Sequence, residues 1–187
     1  MLIYEALEKD HHKLKALMDE MIRIGESNEL RRAKLVIEEI RDELIPHARA
    51  EEAVFYNVLS SIEQAQPFVL HHGFQEHIDA ETILRSLQLK DVIDAEWKLL
   101  ARKFKKTVET HIEEEEHEIF AMAREFISES DAEMMAAAFE ELKPQVPKEG
   151  FVKNALDLVV HLMPPKYAAT LRTMTLRPEN AARALHH

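Results

Sequence analysis

The chain has 187 residues, with 24 Lys and Arg against 35 Asp and Glu, a formal net charge of -11 and no cysteine. Disulfides, thiolate metal sites and cysteine nucleophiles are thereby excluded, and the acidic balance argues against DNA or RNA, whose phosphates are held by clustered Lys and Arg. Three glycines and seven prolines are few, and abundant Leu, Ala, Glu, Lys and Met favour helix; an all-α protein with a sizeable core is expected.

The opening MLIYEALEKDHH lacks a basic segment followed by an apolar one, and no uncharged apolar run approaches the roughly 20 residues of a membrane span. A cytoplasmic protein without a membrane partner is the expectation, and the terminal His186 and His187 carry no weight. The first helical pattern places Tyr4, Leu7, His11, Leu14, Met18 and Met21 on one face at 3-4 spacing. It ends at GESN, residues 25–28.

The second pattern runs Leu30, Ala33, Ile37, Ile40, Leu44, His47, Glu51, Val54, Val58 and breaks at EQAQP, residues 63–67, where Pro67 suits the first position of the next helix. Pro46, inside this pattern, removes a backbone hydrogen bond, and a kink that aims His47 is expected. The third face carries Leu70, Phe74, His77, Glu81 and Leu84, and stops at KDVID, residues 90–94. The fourth gives Trp97, Leu100, Phe104, Val108, His111, Glu115, Ile119, Met122 and Phe126. After SESD, residues 128–131, come a short helical piece, the linker KPQVPKEG, then FVKNALDLVVHLMPP and a shorter amphipathic tail. The division expected is a four-helix bundle over residues 1–128 and a helical extension over residues 129–187 that packs on it. Met134, Met135, Met163 and Met174 in the extension read as packing, with a lid or a partner surface as the functional alternative.

Short connections between long helices imply an up-down-up-down bundle. Every buried face is apolar except near its middle, where it turns to His, or to His with Glu four residues on. At about 1.5 Å per residue, the distances back to each turn agree to about one helical turn. His11, His47, Glu51, His77, Glu81, His111 and Glu115 therefore fall at one level of the interior. The chain also repeats itself: HARAEEAVF and HIEEEEHEIF are similar, and each follows a lone His, which suggests a pseudo-twofold pair of helix pairs.

Any one of these histidines alone reads as an ordinary core or boundary residue, and a purely structural bundle is one open reading. Buried carboxylates with no Lys or Arg on the same faces would each cost several kcal/mol, against a total stability of about 5–15 kcal/mol. A bound cation is the expected compensator. Imidazole and carboxylate donors without sulfur suit iron, manganese or zinc, and seven donors exceed a tetrahedral zinc site. A carboxylate-bridged pair of iron ions fits best, with Glu51 and Glu115 as bridges and the histidines as terminal ligands. A ferritin-like scheme would use Glu8 with His11 and Glu114 with His117, but Glu8, Glu114 and His117 lie off the buried faces.

KDHHKL, HARAEEAVFYNVL, EHIDAE and HIEEEEHEIFAMA, spread over residues 2–128, resemble the hemerythrin-like (HHE cation-binding) domain. The resemblance implies a four-helix bundle with a non-haem di-iron centre, and it implies that His11, after Asp10, binds iron rather than His12. It likewise places His47, Glu51, His77, His111 and Glu115 among the ligands. Oxygen-carrying members have a histidine where this chain has Glu81, an anionic ligand that would favour ferric iron and put reversible oxygen carriage in doubt. The chain looks more similar to bacterial hemerythrin-like proteins that handle iron, peroxide or nitric oxide, as binding or sensing proteins in a stress response or as enzymes. A homo-oligomer or a protein partner through the C-terminal helices is left open.

His12, His71, His72 and His117 lie off the buried faces and are expected at the surface or its boundary. Asp10 and Glu76 adjoin ligand positions and could accept from a ligand imidazole N–H. Of the run EEEE, residues 113–116, only Glu115 is expected to point inward. Tyr4 is expected in the core.

Overall fold

The structure is a computed structural model that describes residues 1–62 and 67–146 together with Met163, Pro164 and Tyr167, the side chains of residues 67–71 excepted. All regular structure among the described residues is helical. Helix α1 spans Ile3–Ser27 and ends on Asn28, whose φ of 59° supplies the left-handed stop. Helix α2, Leu30–Glu51, carries Pro46 inside it and runs into a π-helical turn, Glu52–Tyr56, and the short α3, Asn57–Ser60. Helix α4 is Pro67–Gln88, with the proline in the first position as expected. Helix α5, Ala95–Glu114, starts where the Asp94 carboxylate accepts from the Trp97 backbone N–H at 2.7 Å. It too passes through a π-helical turn, Glu115–Ile119, into α6, Phe120–Phe126. Helix α7, Glu129–Leu142, is capped by Ser128 and followed by a 3-10 turn, Lys143–Gln145.

Two apolar clusters fill the interior. One joins Leu14, Met18, Ile37, Ile40, Leu84, Trp97 and Phe104; the other joins Tyr4, Leu7, Phe55, Tyr56, Phe120 and, from α7, Met135, Phe139 and Leu142. Each fully buried Leu or Phe contributes about 1.5–3 kcal/mol, which lets the bundle tolerate a polar layer between the two clusters. In the first cluster Gly25 lets α1 approach closely, since a Cβ there would lie 2.5 Å from the Trp97 ring.

The two π turns correct the expected seams. Each inserts an extra residue per turn, and so rotates the helix beyond it. After Glu115 the buried positions are Ile119, Phe120, Ala123 and Ile127, while Met122 and Phe126, expected inside, are only partly buried. After Glu51 the same shift buries Phe55 and Leu59 beside Val54 and Val58. In the extension Met135 and Met163 are packed in the core and Met134 is half-buried; Met174, Leu70, His71 and nearly all of FVKNALDLVVHLMPP lie outside the residues whose side chains are described.

Candidate metal centre

The polar layer lies midway along the bundle. His11 comes from α1, His47 and Glu51 from α2, His77 from α4, His111 from α5, and Glu115 opens the second π turn. All six are buried, with Glu51, Glu115 and His11 fully so. The imidazoles pair as His11 with His47, ring centroids 5.1 Å apart, and His77 with His111, 4.6 Å apart. Between the pairs lie the two carboxylates: Glu51 Oε2 is 3.2 Å from His77 Nε2 and 3.6 Å from His47 Nε2, and Glu115 Oε2 is 3.2 Å from His11 Nε2 and 4.0 Å from His111 Nε2.

A carboxylate grips the other ring nitrogen of each histidine. Nδ1 of His11 is 2.9 Å from Glu116, that of His47 3.2 Å from Asp10, that of His77 2.9 Å from Glu52, and that of His111 3.0 Å from Glu76. Ionised carboxylates only accept, so each Nδ1 donates its hydrogen and Nε2 is the nitrogen that faces the interior. This is the support that metal-binding histidines commonly receive, fixing both tautomer and ring direction. The pattern is pseudo-twofold: exchanging α1 and α2 for α4 and α5 takes Asp10–His47 to Glu76–His111 and Glu116–His11 to Glu52–His77. Glu116, expected to face solvent, is thus half-buried and bonded inward. Glu52 and Glu116 were not legible as partners because each lies next to a seam position in an acid-rich run.

Glu81 takes a different place from the other six residues. It is half-buried and its ion pair is with Arg49, at 2.6 Å, on the side of the bundle lined also by Glu52, Ile78 and Arg85. His12, His72 and His117 are exposed.

Electrostatics and hydrogen bonding describe a site that needs positive charge. Burial and the neighbouring Glu115 push the Glu51 carboxyl well above its ordinary range. Burial also opposes ionisation of Glu115, yet Glu51 and His11 outweigh it and hold this carboxyl far below that range. His11 is likewise desolvated, but Glu115 and Glu116 raise it to about 9, whereas burial lowers His47 to about 4 and also lowers His111. Asp10, although buried, is held below the ordinary carboxylate range by His47 and Lys143. Among the described residues, His11 Nε2 and both oxygens of Glu51 and of Glu115 have no hydrogen-bond partner. Five such donor atoms in one buried layer would each cost about 1–3 kcal/mol or more if left so, a cost that bound cations would relieve. Glu51, His77 and His111 offer donor atoms that lie within 4.8 Å of one another. The residues present therefore fit a metal.

Tyr56, which ends the first π turn, stacks on His77 with ring planes 3° apart and centroids 5.8 Å apart. Its hydroxyl is buried without a partner among the described residues, and Gly73 makes room for it, since a Cβ there would lie 2.7 Å from that oxygen.

A helical bundle with a buried layer of imidazoles and carboxylates, each imidazole backed by an acid, defines a metal-cation-binding protein. The chain belongs to the hemerythrin HHE cation-binding domain family, whose model matches residues 2–123. It is similar to a curated protein of Nostoc sp. (strain PCC 7120 / SAG 25.82 / UTEX 2576) named "DNA nickase", 27% identical over 150 residues, covering 78% of this chain and 40% of that protein. The chain thus spans less than half the length of that relative. No solved structure matches it. No helix among the described residues is long and apolar enough to cross a membrane.

Proposed function

We propose that the chain holds a carboxylate-bridged pair of iron ions and uses it to bind or sense a small oxidant or diatomic ligand such as oxygen, peroxide or nitric oxide. The single observation that carries this reading is the set of five unpartnered donor atoms, His11 Nε2 and the oxygens of Glu51 and Glu115, in the layer that the Nε2 atoms of His47, His77 and His111 also face. In it His11 and His47 would hold one ion and His77 and His111 the other, with Glu51 and Glu115 as the carboxylates that would serve both. Bound there, iron would supply reversible electron transfer and a position for a small ligand.

The chain's own residues do the rest. Asp10, Glu52, Glu76 and Glu116 hold the imidazoles by Nδ1 and aim Nε2 inward. Phe55, Phe120, Phe139 and Tyr56, all fully buried, exclude bulk water from one side. Glu81, paired with Arg49, serves in this reading beside the centre rather than in it, and Arg49 also braces Glu52 at 3.0 Å.

The relative's printed activity belongs to a much longer protein, and the net charge of -11 offers little to a DNA phosphate; strand cleavage is no part of the proposal. The test is metal analysis of protein purified without chelator, with optical spectra before and after peroxide or nitric oxide. About two irons per chain and a ligand-dependent near-ultraviolet band are expected. No metal uptake, with no gain in stability on adding ferrous iron or zinc, sinks it. Steady-state consumption of peroxide or nitric oxide would make the centre an enzyme's rather than a sensor's.

A further inference from the structure

We propose that Lys143, outside the family-matched residues, is a positioning residue for the buried centre: it pins Asp10 against His47 and makes that imidazole a poorer electron donor than its pseudo-twofold mate His111. Its effect on bound iron rests on the two-metal reading above.

Asp10 is 3% exposed and its carboxylate is shared. Both of its oxygens lie within 2.9 Å of Lys143 Nζ, and Oδ2 also meets His47 Nδ1 at 3.2 Å. The lysine is fixed in turn. Phe139 and Leu142, fully buried, anchor the end of α7; Nζ lies 4.7 Å from the Phe139 ring centroid, and that ring meets the His47 imidazole edge-on at 5.7 Å. A chain of contacts therefore runs from the segment after α7 to one ligand-type imidazole.

The pseudo-twofold mate of Asp10 has no such partner. Glu76 accepts from His111 Nδ1 at 3.0 Å, and its other oxygen faces His72 Nε2 at 3.4 Å, beside the Glu114 carboxylate. No Lys or Arg pairs with it among the described residues. The other two acids differ as well: Glu52 accepts from Arg49 at 3.0 and 3.3 Å, whereas Lys15 stands 3.7 Å from Glu116. The comparison therefore concerns the mates His47 and His111. An acceptor already engaged by an ammonium draws less on an N–H, so His47 is left a poorer electron donor than His111.

The experiment uses the full chain loaded with iron and compares Lys143→Gln and Lys143→Arg with the parent by spectroelectrochemical titration. Loss of the ammonium should favour the oxidised form about tenfold, a fall of about 59 mV for a one-electron couple, with metal content unchanged and Lys143→Arg restoring the parent value. A Gln variant with the parent potential overturns the proposal. A second measurement needs no variant: 15N and 1H resonances of the imidazoles in the zinc-loaded parent. The His47 Nδ1–H proton should lie upfield of that of His111, as the weaker hydrogen bond; equal positions or the reverse order overturn the proposal even if Lys143→Gln does not fold. A parent chain that takes up neither metal overturns the two-metal reading itself, which is a different result from two bound metals indifferent to Lys143.

Discussion

His77 and His111 face each other Nε2 to Nε2 at 3.1 Å. With Glu52 and Glu76 taking the hydrogens of their Nδ1 atoms, the facing nitrogens present lone pairs to each other, and Glu51 adds an anionic oxygen 3.2 Å from one of them. Three electron-rich atoms at such distances repel unless a proton or a metal cation stands among them.

Metal and fold should therefore respond oppositely to a change at Glu51. In chelator-treated protein, Glu51→Gln removes a desolvated carboxylate and its conflict with Glu115, and should raise stability by about 1–3 kcal/mol. In the same variant zinc or iron should bind at least tenfold more weakly, for want of an anionic bridge. Thermal melts with and without metal read both effects. A Gln variant less stable than its parent without metal contradicts this account.

The acids behind the imidazoles should matter nearly as much as the ligands. Glu52→Ala, Glu76→Ala and Glu116→Ala, each of which leaves all four imidazoles in place, should lower metal affinity about 10–100-fold. Isothermal titration with zinc measures this. Unchanged affinity in all three would mean that packing alone orients the rings.

Two glycines separate stability from function. Gly25→Ala drives a methyl into the Trp97 ring and Gly73→Ala drives one into Tyr56, and each should cost about 1–3 kcal/mol as overpacking. Only Gly73→Ala should also weaken metal binding, because Tyr56 stacks on His77. Equal metal affinity in the two variants would remove Tyr56 from any account of the centre.

Without metal, the chain should lose stability as the pH climbs above 6.5, while below that pH Glu51 and His47 act in opposite directions. His11 is raised to about 9 from 6.5, so its contribution is complete below 6.5 and lost as the pH climbs through 9, a change of at most about 3 kcal/mol. Glu51, also raised, acts in the same direction above the ordinary carboxylate range. His47, lowered to about 4, resists the proton that the unfolded chain accepts, and so costs stability as the pH falls from 6.5 toward 4. Melts of chelator-treated protein between pH 5 and 9.5 check the sign: a midpoint that rises from pH 7 to 9 is incompatible with it.

The sequence by itself determined the helices, their order and the level of the polar layer, because a 3-4 apolar spacing interrupted by His-x-x-x-Glu leaves one inward face per helix, and helix rise is a fixed length. Gly25 to Asn28, Pro67, Asp94 and Ser128 marked the boundaries through local backbone chemistry that needs no tertiary context. Tertiary structure alone decided the rest. The π turns at Glu52 and Glu115 are invisible to a 3-4 pattern, and they moved the buried positions from Met122 and Phe126 to Phe120, Ala123 and Ile127. Glu81 kept its place on the seam register, but Arg49 lay near enough to take its carboxylate. Glu52, Glu116 and Lys143 acquired their roles only when separate helices met, since a hydrogen bond between residues 25, 105 or 133 positions apart leaves no periodic trace along a chain.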